Sequence, residues 1–301
     1  MSTEDRNLQT GTTPLTPPSA DASATTGSAA DGGQDVRRAS GARAIVIVTA
    51  VIGGVALLGT GGSAAFAAAS DLSRTDSEQS LDVDGIEGID LDASASDVTV
   101  QFDDVEEAEL TVTGGRGNWT MERNEDDLIV RSPDTGFSWW FGGNWFSGPE
   151  TVVLTLPENL RTTKLDAEFT LSAGSLEAVG DFGDLDVEVG AGFFSIEGSA
   201  HVLDIDMSAG RASIELDGVT EADLAVSAGD LMVELTGTAP DTVTIDVSAG
   251  SVNLALPNVD YNIVQDVSAG TLDSRVEESS SSRRTIDVSL SAGSVTLRPE
   301  D

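Results

Sequence analysis

The side chains able to do chemistry in this sequence are carboxylates and indoles. Fifty-two Asp and Glu stand against fifteen Lys and Arg, a net charge of −37. Asp206, Asp246 and Asp266 share one position of a repeat, two residues before a serine; Asp204, Glu188, Glu215 and Glu234 sit in runs where polar and apolar residues alternate. Regularly spaced carboxylate oxygens are ligands for Ca²⁺ and other hard cations. They serve equally as a solvated acidic face, and no Gly/Asp calcium-loop signature accompanies them. On rungs about 4.8 Å apart, ionised neighbours would repel by about 0.9 kcal/mol per pair at the dielectric of water, less in salt. The aromatic group is Phe137, Trp139, Trp140, Phe141, Trp145 and Phe146, within an insertion over 134–149 that holds three of the four Trp. Such a group suits sugar rings, a protein groove or a lipid interface. It suits as well a plug folded back over the end of the domain.

Catalytic chemistry finds little support. There is no cysteine, His201 is the single histidine and Lys164 the single lysine. A thiolate site and a His-His metal site are thereby excluded, and no nucleophile motif supports a Ser-His-Asp set through His201. A glycan-cleaving β-helix would need clustered Asp with Arg or Lys, and the arginines are scattered. The reading is non-enzymatic, without a resident cofactor, and the acidity excludes nucleic acid as a partner.

What must position these groups is a repeat. Ser-Ala-Gly recurs with its serine at 172, 208, 227, 248, 268 and 291; Gly190-Ala191-Gly192 fills one gap, and Ser94-Ala95-Ser96 is a looser upstream copy. The steps from 172 to 291 are 18, 18, 19, 21, 20 and 23 residues. A period near twenty marks a repeat architecture. Apolar residues alternate before each tripeptide (Val243, Ile245, Val247, then Ala249) and after it (Val252, Leu254, Leu256), so each flank is a strand with one buried face. The phase slips by one residue between them, which predicts a sharp corner, with Gly250 in a conformation other residues resist and the corner alanine inside. Stacked copies would form an all-β fold: a β-solenoid with two main sheets and a thin aliphatic interior. An antiparallel sandwich of hairpins is the alternative.

Residues 1–43 are rich in Ser, Thr, Ala, Gly and Pro and predict a disordered tail. Residues 44–69 are uncharged and long enough to cross a bilayer as a helix. Arg37, Arg38 and Arg43 precede that segment, while Asp71, Asp76 and Glu78 follow, which places the N-terminus in the cytoplasm and the C-terminal bulk outside. A cleaved secretory signal ending near Ala67-Ala68-Ala69 is the competing reading. Residues 70–80 read as a polar linker and 81–301 as the extracytoplasmic solenoid, opened by coils over 81–133. Arg298-Pro299-Glu300-Asp301 would end the stack and discourage end-to-end pairing.

A strand ending in Leu156-Pro157-Glu158, followed by Ser-Ala-Gly corners with alternating aliphatics, resembles the bacterial putative-adhesin domain family over roughly 81–301. The aromatic insertion and the acidity depart from that pattern. The resemblance implies a β-solenoid at the cell envelope, often membrane-tethered, in a family whose function is open and some of whose members look like accessories of envelope-stress signalling. Two functions therefore stand: adhesin-like binding or scaffolding at the cell exterior, toward cell-wall glycan or an envelope protein, and envelope-stress signalling through a partner protein.

Overall fold

The computed structural model describes residues 75–115, 117–133 and 150–300. The tail 1–43 and the apolar segment 44–69 lie outside them. No helix of the described residues is long and apolar enough to cross a membrane.

The described chain is almost wholly strand. It opens with β1 (Thr75–Leu81), β2 (Gly88–Ala93), β3 (Ser96–Asp103), β4 (Ala108–Gly115), β5 (Thr120–Asn124), β6 (Asp127–Arg131) and β7 (Thr151–Pro157). A 3-10 turn (Glu158–Thr162) follows. Then come β8 (Leu165–Leu171), β9 (Gly174–Val189), β10 (Phe193–Ser199), β11 (Val202–Met207), β12 (Arg211–Asp217), β13 (Glu221–Val226) and β14 (Asp230–Thr236). The last four are β15 (Thr242–Leu256), β16 (Asn262–Val267), β17 (Thr271–Ser274) and β18 (Thr285–Pro299). β1 begins inside the stretch expected to be linker, because Ser77–Leu81 pair antiparallel with β4.

Two parallel ladders carry the fold. Strands entering the corners pair in the order β6–β2–β8–β9–β11–β13–β15–β18–β16. Strands leaving them pair as β7–β3–β9–β10–β12–β14–β15–β18–β17. The long strands β9, β15 and β18 belong to both. Neighbouring rungs run parallel along both ladders, so the expected solenoid-like coil is present and the hairpin sandwich is not. Alternation fills the interior: Leu203, Ile205, Met207, Ala212, Ile214 and Leu216 are all at most 1% exposed. Among the described residues, Phe169, Phe182 and Phe194 form one aromatic knot, with ring centroids 5.9 and 6.2 Å apart.

The corners differ from expectation. Ala249 and most of its counterparts are exposed, and Ala173 and Ala209 are half-buried. The chain swings outward between the last inward residue of one strand (Val247) and the first of the next (Val252), so the corner alanine lies on the outer side. The small residues are required along the stack, not across it. A Cβ on Gly210 would lie 2.3 Å from the carbonyl oxygen of Gly192 on the preceding rung, and φ there is +104°. Gly250 does not share that positive φ, but a Cβ on it would lie 2.7 Å from the Gly229 carbonyl oxygen.

Rungs do not stack in chain order at either end. At the first end the 127–157 rung lies outside the 88–103 rung, which pairs with 165–181 on its other side. At the second end β18 inserts between β15 and the pair β16/β17. Arg298 and Pro299 therefore sit beside Ala255 and Leu256 and do not end the stack. The opening is also less regular than a run of coils: β5 pairs antiparallel with β6, and β4 with β1 and β7.

Candidate functional site

The entering ladder collects the acids. Its register puts Asp90, Glu168, Asp186, Asp204 and Asp223 on five successive rungs of one outward file, followed by Thr244 and Asp287. Asp206, Asp246 and Asp266 also face outward, but Ala225 lies between the first two and Ser289 between the second two. The continuous acidic file is thus four residues before each corner, not two. Its signal is present in the sequence, since Glu168, Asp186, Asp204 and Asp223 all stand four residues before a corner. The other ladder is milder outside: Glu197, Glu215 and Glu234 stack there, and Arg298 reaches Glu234 at 3.4 Å.

The carboxyls of Glu168, Asp186, Asp204 and Asp223 are held above their ordinary range, first by burial against neighbouring side chains and then by like charges on their own and adjacent rungs. Raised values in the fold mean that the folded chain binds more protons than the unfolded one between the ordinary and the raised pKa. Their stabilising contribution is full below the ordinary carboxylate pKa and is lost as pH rises through the raised values. Melting curves should therefore show a higher Tm near the ordinary carboxylate pKa, at about pH 4, than at pH 7. Asp204→Asn, which relieves repulsion from both Asp186 and Asp223, should stabilise by about 0.5–1 kcal/mol at neutral pH and low salt and flatten that pH dependence. A Tm that is lower at about pH 4 than at pH 7 would reject the account. Among the described residues no group of three or more acid, His or Cys side chains converges as a metal cage.

Phe137, Trp139, Trp140, Phe141, Trp145 and Phe146 lie outside the described residues; the roots of their insertion do not. Ser132 and Glu150 lie against the Ser94–Asp97 corner. The Ser94 amide donates to Ser132 Oγ at 3.0 Å, and the Asp97 amide donates to the Glu150 carbonyl at 2.8 Å. The insertion thus takes the place of the corner in the outermost rung. Glu150, 4% exposed, accepts from Trp119 Nε1 at 2.6 Å and Ser96 Oγ at 3.0 Å. No sequence signal marks this cluster, because Trp119 and Glu150 are thirty-one residues apart and neither belongs to a motif. Glu150→Ala strands two buried donors, a loss of about 2 kcal/mol or about 4–8 °C in Tm, measurable by thermal melting. His201 is exposed, as expected of a turn residue. Its carbonyl accepts from the Thr220 amide, and the Thr220 carbonyl from the Asp241 amide, so the three stack on successive rungs.

Fold and surface together define a parallel, solenoid-like repeat domain with an acidic entering face and an insertion at one end. The chain belongs to the Toastrack DUF4097 family, whose model matches residues 86–268. No curated protein matches the sequence. Similar solved structures include a putative cell adhesion protein from Clostridium sporogenes (11% identity, 76% of this chain and 100% of that one, TM-score 0.31). A putative adhesin from Bacteroides fragilis (12%, 75% and 98%, TM-score 0.45) and a putative lipid binding protein from Parabacteroides distasonis (13%, 73% and 96%, TM-score 0.27) are also similar.

Proposed function

We propose that the chain is a non-enzymatic, membrane-anchored module of the cell envelope that binds or scaffolds at the cell exterior. The rooting of the aromatic insertion carries this reading. Its flanks replace the corner of the outermost rung and are tied down through Glu150, Trp119 and Ser96, so an aromatic-rich segment starts from a rigid base. Loops held on rigid scaffolds are where binding function concentrates. The apolar run 44–69, with arginines before it and acids after, supports a single-pass anchor with a cytoplasmic N-terminus. Cell-wall glycan or an envelope protein is the partner class. Ca²⁺ enters only as a screening ion along the acidic file.

The test compares the full chain with a variant lacking 135–148, each recovered by pull-down from intact cells. Loss of wall glycan or of an envelope protein with an unchanged melting curve is the expected result. Unchanged recovery would remove the insertion from the proposal. Recovery of a sensor kinase or an anti-sigma partner through the anchor, independent of the insertion, would move the function to envelope-stress signalling.

A further inference from the structure

The two ends of the stack are finished differently. At the first end β5 covers β6, β4 and β1 continue beyond β7, and Trp119 and Met121 are buried there. At the second end β16 and β17 pair only with β18 among the described strands. Val267 is 38% exposed there, whereas Leu290 and Val247, at the same position of the next two rungs inward, are 1% and 3% exposed. The Asn262 and Ser268 amides bond back toward β18, so by alternation the amides of Ile263, Gln265 and Val267 point to the open edge. A hollow of about 320 Å³ opens there, lined by Ile263, Gln265, Leu272, Asp273, Ser274 and Glu278.

We propose that this open end takes up an extended segment of a partner protein in which aliphatic residues alternate with Lys or Arg, added as a further strand along β16. Three outward amides in a row call for a strand, since backbone hydrogen bonds provide the affinity in strand addition and side-chain pockets the choice. Ile263 and Leu272 call for aliphatic side chains. The charges call for cations: two carboxylates and no basic side chain line the hollow, Asp266 is exposed on the rung itself, and Asp273 is matched only by Arg275, outside the lining, at 2.6 Å. The same charges disfavour a second copy of this chain, because two such ends would oppose Asp266, Asp273 and Glu278 to their own duplicates within a body of net charge −37.

The probe is a labelled peptide of alternating Lys and Val, seven residues long, against its Glu/Val counterpart. Binding to the full chain is read by fluorescence anisotropy at 150 mM salt, with hydrogen exchange to locate it. The basic peptide should bind, the acidic one should not, and exchange should slow at residues 263–267. Gln265→Pro removes one outward amide and leaves the bonds to β18 in place, as proline permits on an edge; it should weaken binding at least tenfold. Glu278→Gln, an exposed position that carries no packing, should weaken it about threefold and reports even if the proline variant melts early. The proposal is overturned if the basic peptide fails to bind or if both peptides bind alike. Protection along 202–207 and 221–226 instead of 263–267, or an end protected by self-association without peptide, overturns it equally.

Discussion

A chain ending at residue 284 should not fold. In a plain stack, removing the last seventeen residues would shorten the coil by one rung and leave the rest standing. Here β18 is the second rung from the open end, paired along both ladders to β15 on one side and to β16 and β17 on the other. Its inward residues Ile286, Val288, Leu290, Val295 and Leu297 are at most 1% exposed. At about 1.5–3 kcal/mol for each fully buried aliphatic side chain, their loss alone approaches the 5–15 kcal/mol by which whole domains are stable. β16 and β17 also lose the strand partner they have among the described residues. Circular dichroism of the truncated chain should show no cooperative melt. A truncation that melts within about 10 °C of the full chain would mean that β18 is not the intercalated rung.

The second large effect is expected at the corner file. Gly210→Ala places a Cβ 2.3 Å from the Gly192 carbonyl oxygen and 2.7 Å from the Gly192 amide nitrogen, at φ +104°. Both neighbours are backbone, so relief requires the rungs to part. Gly218 is the internal control: its φ is +78°, and a Cβ there meets nothing within 4 Å. Gly218→Ala should show the conformational term alone, about 1 kcal/mol. Gly210→Ala should lose at least about 3 kcal/mol, the upper range for a strained residue, with the contact added. The comparison is a pair of denaturant melts. Equal losses at the two positions would show that the corner glycines serve their own turns and not the approach of rungs.

Much of this architecture was legible because a repeat writes the same physics many times. The one-residue slip between Val247 and Val252 recurs in every copy, so strand, corner and strand could be read without a structure. The side on which the corner alanine lies was misread, because alternation describes a straight strand and says nothing of where a bend sends its own side chains. Glu150 with Trp119 was invisible for a different reason: a buried hydrogen bond across thirty-one residues leaves no period. Asp206, Asp246 and Asp266 do share one file, as the repeat predicts, but the displaced rung puts Ser289 between Asp246 and Asp266, since copies consecutive in the chain are not neighbours at its ends.

By itself the sequence determined an all-β repeat: period-two alternation and a recurring small-residue corner point to stacked copies sharing one aliphatic interior, and the strand register then shows neighbouring rungs parallel and not paired as hairpins. It also determined the acidity and the absence of a thiol or a second histidine, which are matters of composition. Only the tertiary structure decided the order of the rungs, and with it the continuous file from Asp90 to Asp223, the covered end beside Trp119 and the open end at β16. Those depend on which strand edges find each other, and strands with the same pattern are interchangeable to local rules; chain connectivity and the packing of residues such as Tyr261, fully buried where the chain skips a rung, select among them.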